Sequence, residues 1–244
     1  MNDTRKPLYR LDPYLKEAAG VVVAHTAEGG IIVDTSLFYP TGGGQPGDSG
    51  LLEWGQGRQI PIATTVKAET GAASVLVPAE PSPLPAIGTE VLQVLDWDRR
   101  HRHMRIHTAL HLLSVVIPLP VTGGQISAGT GRLDFLMPEP PEDREPFEIA
   151  LNELVDHDLP VSEHWITQAE LDANPELVKT LSVQPPRGAG LIRLVRIGEG
   201  AEQIDLQPCG GTHVARTGEI GAVRIDGIKN KGKQNRRVSI SLDI

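Results

Sequence analysis

Between Gly20 and Leu95 the apolar residues come in short β-branched runs broken by polar and glycine-bearing segments. Val21-Val22-Val23-Ala24-His25-Thr26 and Ile31-Ile32-Val33-Asp34 flank Glu28-Gly29-Gly30, and two such runs joined by a Gly-containing loop predict a hairpin. Further runs at Gln59 to Val66, Ala73 to Val77 and Glu90 to Leu95 add strands, and short strands at this spacing predict a small β-barrel. Pro78 to Pro85 carries four prolines and reads as an internal linker or edge loop.

The pattern changes at Asp98. Met104, Leu112, Val115 and Val116 lie on the stripe of a helix over about 98 to 116, with Asp98 as its cap and Pro118 as its stop. Beyond it, Thr122 to Ser127 and Arg132 to Leu136 read as strands around a turn at Ala128 to Gly131. Residues 142 to 157 read as a helix whose core side holds Phe147, Ile149, Ala150, Leu151, Leu154 and Val155. A strand at Val161 to Thr167, a helical stretch from Gln168 to Lys179 interrupted near Pro175, and a strand at Leu191 to Ile197 follow. Ile204-Asp205-Leu206 leads into Cys209, and Glu219 to Lys229 with Arg236 to Leu242 form a closing antiparallel pair across Asn230 to Asn235. Intermixed helices and strands make this part α+β, which gives two domains, 1–95 and 96–244.

Phe38 to Gly50 fits no regular element. Its Gly42-Gly43-Gly44 and Gly47 permit close backbone approach, but it lacks the spacing and the Lys-Ser/Thr ending of a phosphate-binding loop. A balance of 23 Lys+Arg against 31 Asp+Glu gives a net charge of -8, which argues against nucleic-acid binding driven by overall charge and leaves only local basic patches. Met1 to Arg10 mixes charges without an apolar segment and does not read as a secretory signal, and no window is apolar enough to span a membrane. One cysteine excludes an internal disulfide and suits a reducing compartment, so the cytoplasm is expected.

That cysteine sits in Cys209-Gly210-Gly211-Thr212-His213, while His107 and His111 stand one turn apart on the predicted helix. Either half alone is a weak signal. Together a Cys and three His suit one zinc ion by softness and ligand count, although His103, on the same stripe, has equal claim by spacing. The helical motif lacks the glutamate of His-Glu-x-x-His, which disfavours a peptidase. Four protein ligands would make a closed, structural site, whereas a catalytic zinc keeps a position open. Arg99, Arg100, Arg102 and Arg105 read as a solvated basic collar, and Lys229, Lys231, Lys233, Arg236 and Arg237 as a second basic cluster.

His107-Thr108-Ala109-Leu110-His111-Leu112-Leu113 together with Cys209-Gly210-Gly211-Thr212-His213-Val214 resembles the editing domain of alanyl-tRNA synthetase and the AlaX proteins related to it. Tyr39 to Asp48 resembles the glycine-rich motif of the medium-length AlaX type, and Gly124-Gln125-Ile126, Arg132 to Phe135 and Asn230 to Arg237 resemble further motifs. The resemblance implies a small N-terminal β-barrel followed by an α+β editing domain with zinc on His107, His111, Cys209 and His213. It implies ATP-independent hydrolysis, in trans, of the ester joining serine or glycine to tRNA(Ala), with no DNA or membrane partner. Gln125 takes the place of a pocket glutamine and Thr108 is a candidate pocket residue, while Leu110 departs from a threonine in the synthetase pattern. Gly42, Gly43 and Gly44 are expected to approach the editing site, and Arg105, Lys231 and Lys233 to contact tRNA phosphates. The alternative is a zinc-stabilised tRNA-binding accessory module without hydrolytic activity; threonyl-tRNA editing is disfavoured by the glycine-rich motif.

Overall fold

A computed structural model describes residues 7–69, 73–181 and 190–243. Most of Met1 to Arg10, on which the reading of the leader rests, falls outside the described residues. The chain divides into two compact units, Met1–His101 and Arg102–Ile244.

The first unit opens with a short helix, α1 (Leu8–Leu11). Its strands are β1 (Glu17–His25), β2 (Ile31–Val33), β3 (Gly50–Trp54), β4 (Arg58–Lys67), β5 (Ser74–Pro78) and β6 (Glu90–Leu95). They close into a barrel in the order β1-β2-β5-β4-β3-β6, with β6 antiparallel to β1, so no strand edge is left unpaired. The predicted hairpin is β1 with β2. β3 is an addition to the expected set, because Gly50 to Trp54 is a short run at the end of the glycine-rich loop. Alternation along the strands sends Val22, Val33, Leu52, Ile60, Ile62 and Val91 into one core with Leu37 and Phe38. The proline-bearing segment is the loop that joins β5 to β6, and His25 of β1 bonds to the Pro85 carbonyl at 3.0 Å.

The glycine-rich loop is ordered around Asp48. Its carboxylate accepts from the Tyr39 amide at 2.6 Å and from Arg100 Nε at 2.8 Å, and also from Arg100 Nη2. The Thr65 hydroxyl donates to the Asp48 carbonyl at 3.0 Å. Gly42 and Gln45 exchange two backbone bonds of 3.0 Å around Gly43 and Gly44, whose φ of 58° and 84° only glycine adopts at low cost. Arg100 therefore does not belong to a solvated collar. Its side chain is fully buried, bonding also to the carbonyls of Leu37 at 3.0 Å and Pro13 at 3.1 Å, while Arg99 bonds to the Gly47 carbonyl at 2.7 Å.

α2 (Trp97–Val116) begins one residue before its predicted start, and its cap is Asp96, not Asp98. Asp96 Oδ1 accepts from the Arg99 amide at 3.2 Å, a carboxylate placed just before the first turn, whereas Asp98 already lies inside that turn.

The second unit holds two sheets. One is antiparallel in the order β12-β13-β8-β7, from β7 (Val121–Ser127), β8 (Thr130–Leu136), β12 (Val223–Asn230) and β13 (Asn235–Leu242). The other has the order β11-β10-β9, from β9 (Val161–Ile166), β10 (Ile192–Ile197) and β11 (Asp205–Pro208). Helices α3 (Glu145–Asp156) and α4 (Gln168–Ala173) complete it, the latter followed by a 3-10 turn at Pro175–Leu177. Ser127 pairs directly with Thr130, so the predicted four-residue turn tightens to two residues. Glu219 belongs to a 3-10 turn, Thr217–Ile220, and not to β12. Ile149 is 54% exposed, off the α3 face that buries Leu151 and Val155.

From His103 to Ser114 every residue of α2 except Arg105 is buried, so an expected single apolar stripe becomes burial on all sides. Gly131 of β8 permits this, since a Cβ there would lie 2.7 Å from Ile106 and 3.1 Å from Leu110. Leu110, which departs from the synthetase pattern, thus faces β8. Among the described residues no helix is long and apolar enough to cross a membrane.

Replacing Arg100 with Leu leaves the buried Asp48 carboxylate without its cation, which costs about 3–5 kcal/mol. Urea unfolding of Arg100→Leu is expected to show that loss. A change below about 1 kcal/mol would mean that Asp48 does not depend on Arg100.

Candidate metal centre

His107, His111, Cys209 and His213 bring one donor atom each to a common centre, all four lying within 4.8 Å of one another. α2 supplies His107 and His111 from successive turns. The loop after β11 supplies Cys209 and His213. Cys209 Sγ lies 3.4 Å from His107 Nε2 and 3.2 Å from His213 Nε2. A tetrahedral zinc-type site with ordinary metal–sulfur and metal–nitrogen lengths needs donors roughly 3.3–3.6 Å apart; the two sulfur–nitrogen separations are close to that, and the four donors as a set lie within 4.8 Å. His103 is buried but is not among the four.

Two of the imidazoles are held from behind. The Thr108 hydroxyl donates to the Met104 carbonyl at 3.0 Å, which leaves its oxygen to accept from His213 Nδ1 at 3.1 Å and the Val214 amide at 3.3 Å. His213 is thereby set with its proton on Nδ1 and its Nε2 lone pair toward Cys209. His111 Nδ1 meets Asp205 Oδ2 at 2.9 Å, and Asp205 is in turn bonded by Lys179 Nζ at 2.6 Å and Gln207 Nε2 at 2.8 Å. A carboxylate behind a histidine is the usual support of a metal ligand, fixing ring orientation and raising basicity.

The electrostatics favour a thiolate at Cys209 and a neutral His213, whereas His111 holds a proton that metal binding would release. Burial works against the Cys209 thiolate, but the imidazoles of His107 and His213 hold the thiol well below its ordinary range. Burial also lowers His213 well below its usual value, with the charge of His107 adding to this. For His111 burial acts downward, yet the bonds to Asp205 and Cys209 push it up to about 9. Asp205 is itself buried, which opposes ionisation, and its bond to His111 keeps its pKa below the usual value.

The remaining sequence-derived candidates are not among the four donors. Thr108 is fully buried and spends its hydroxyl on Met104, His213 and Val214. Gln125 is exposed on β7, and its Oε1 accepts from Arg132 Nε at 3.2 Å. Arg105 is half-buried and anchored by the Ile220 carbonyl at 2.8 Å. Lys231 and Lys233 are exposed at the β12–β13 turn. Arg236 and Arg237 of the same basic cluster are engaged internally, Arg236 on the Pro138 carbonyl at 2.9 Å and Arg237 on Asp134 at 2.7 Å. Gly42, Gly43 and Gly44 belong to the first unit, where the turn itself accounts for glycine at 43 and 44. Asp205 and Lys179 went unseen in the sequence; the one available signal was a carboxylate in the strand leading to Cys209.

Residues 192–239, which include Cys209 and His213, match the family described as the threonyl and alanyl tRNA synthetase second additional domain. That segment is thus similar to a domain that those synthetases carry. The chain is 32% identical over 243 residues to the alanyl-tRNA editing protein AlaX-M of Methanosarcina acetivorans, covering 96% of this chain and 98% of that protein. It is 34% identical to AlaX-M of Methanosarcina mazei, over 96% of this chain and 95% of that protein. It is also 32% identical to the alanine–tRNA ligase of Pyrobaculum arsenaticum, over 93% of this chain and 25% of the ligase. The chain belongs to the AlaX family of alanyl-tRNA editing proteins.

Asp205→Asn keeps the shape but loses the charge behind His111. Metal affinity, measured by competition with a chromogenic chelator, is expected to fall about 10–100-fold. An unchanged affinity would show that His111 orients without Asp205.

Proposed function

We propose that this chain hydrolyses, in trans and without ATP, the ester that joins serine or glycine to tRNA(Ala), with one zinc ion on His107, His111, Cys209 and His213. The observation that carries the reading is the convergence of these four side chains in a chain similar over nearly its whole length to alanyl-tRNA editing proteins.

An aminoacyl ester is already activated, so the chemistry needs a positioned water and stabilisation of the developing oxyanion. Zinc, when bound, supplies Lewis-acid polarisation of the carbonyl or a hold on the substrate amino group. The chain's own residues orient the site: Thr108 acts through His213, and Asp205 acts through His111. Gln125 is the candidate contact for the amino-acid moiety, and Gly42 to Gly44 for close approach of the substrate to the backbone. Serine differs from alanine by one hydroxyl, and a site that bonds that hydroxyl rejects alanine because its own polar groups would stay unpaired.

A second reading has an observation of its own. Four protein donors around one ion would leave no open position, as in structural zinc sites, which favours a tRNA-binding accessory module. Deacylation assays separate the two. The metal-loaded chain is expected to hydrolyse Ser-tRNA(Ala) and Gly-tRNA(Ala) but not Ala-tRNA(Ala), and Cys209→Ala to lose at least about 100-fold in rate. A folded, metal-loaded chain that binds tRNA and hydrolyses none of the three would leave the module reading in place.

For RNA, Arg105, Lys231 and Lys233 are the phosphate contacts on this reading. Lys231→Gln with Lys233→Gln is expected to weaken tRNA binding and reduce the salt slope by about one to two units. An unaltered slope would take both lysines out of the interface.

A further inference from the structure

Arg193 lies on β10, beside the loop that carries Cys209 and His213. Its side chain is only 10% exposed. Nη1 donates to the carbonyl of Cys209 at 2.7 Å and to that of Gly211 at 3.0 Å. Nη2 pairs with Glu163 on the neighbouring strand β9 at 2.7 Å. The Arg193 carbonyl in turn accepts from the Cys209 amide at 3.3 Å.

The segment gripped in this way carries two of the four donors. Gly210 and Gly211 have no side chain to order the chain between Cys209 and His213, so the backbone there needs a restraint from outside. In a trans peptide the carbonyl and the next N–H point in opposite directions. Drawing the Cys209 and Gly211 carbonyls onto one guanidinium nitrogen therefore fixes the orientation of two peptide planes in the loop. In the peptide between those two planes Gly211 N–H donates to Cys209 Sγ at 3.4 Å, and His213 Nε2 lies 3.2 Å from the same sulfur. A lysine could not serve in the same way, because an ammonium is a point charge, while the guanidinium is a fixed fork that can hold Glu163 and the two carbonyls at once.

We propose that Arg193 is a positioning residue for the metal site, holding the Cys209–His213 loop so that thiolate and imidazole stand at ligand spacing before an ion arrives. The inference rests on the metal-binding part of the reading above and not on the tRNA reaction. The bland alternative is that Arg193 serves only to tie β9 to β10 through Glu163.

The test uses the full chain stripped of metal and titrated with cobalt(II), whose visible bands report tetrahedral thiolate ligation, and with zinc against a chromogenic chelator. Urea unfolding of the metal-free chain runs in parallel. Arg193→Met is expected to weaken both ions about 10–100-fold and to alter the cobalt bands. Arg193→Lys should regain only part of that loss, and Glu163→Gln, which spares the bonds to Cys209 and Gly211, should bind as the wild type does. Should Arg193→Met fail to fold, Arg193→Lys and Glu163→Gln still separate the two roles, by a cobalt spectrum altered in the first and normal in the second. Unaltered affinity and bands in folded Arg193→Met, or equal loss in Glu163→Gln, would overturn the inference. A wild-type chain that binds neither ion overturns it together with the metal reading, whereas normal wild-type binding lost in Arg193→Met supports it even in a chain that deacylates nothing.

Discussion

An imidazole can offer one nitrogen to an ion only while its ring is held in the right tautomer and plane, and that hold has to come from a group that is itself buried and satisfied. Thr108 does this for His213, and Asp205 does it for His111. Both supports need partners of their own. Thr108 can accept from His213 because its proton is committed to the Met104 carbonyl one turn back, and Asp205 stays ionised under burial because His111, Lys179 and Gln207 surround it. The burial of α2 on all sides follows from this requirement, since a helix with one wet face would let water compete for each of these bonds.

The same principle orders the barrel unit. The glycine-rich loop has few side chains with which to pack, and its shape comes from one carboxylate, Asp48, that gathers the Tyr39 amide and the Arg100 guanidinium. In the second unit Arg193 stands in the same relation to the Gly210-Gly211 backbone. Each unit therefore has a glycine-rich segment whose backbone is bonded by an arginine or by the carboxylate that an arginine holds. Glycine gives the backbone freedom to approach, and the guanidinium fork takes that freedom away again.

This is also where the sequence was least legible. Periodicity identified most of the strands and every helix of eight or more residues, because alternation and the apolar stripe are local signals. The four metal ligands were legible through residue type and spacing, though spacing alone left His103 beside His107 and His111; only burial of all three with convergence of two decides between them. Arg100, Arg193 and Asp205 were not legible, since a charged residue beside aliphatics reads as the solvent face of its element. What reverses that reading is a partner far along the chain, such as Asp48 for Arg100, which no local window contains. Asp96 and Asp98 flank one tryptophan, and either could cap a helix; the choice of Asp96 depends on which residue first takes helical geometry.

The supports also limit where substrate chemistry can take place. Thr108 has its proton and both acceptor directions committed, so it cannot read a substrate hydroxyl without releasing His213 or Val214. His107, His111 and His213 are buried, whereas Cys209 keeps partial exposure and Gly210 beside it is exposed. The most exposed part of the cluster's surroundings is thus the Cys209–Gly210 backbone, in the loop that Arg193 grips. The orientation of the Cys209–Gly210 peptide is set by the Arg193 bond to its carbonyl. Ligand geometry thus depends on one short segment, and a loop so rich in glycine can hold two donors in place only because charge from a neighbouring strand is bonded to its carbonyls.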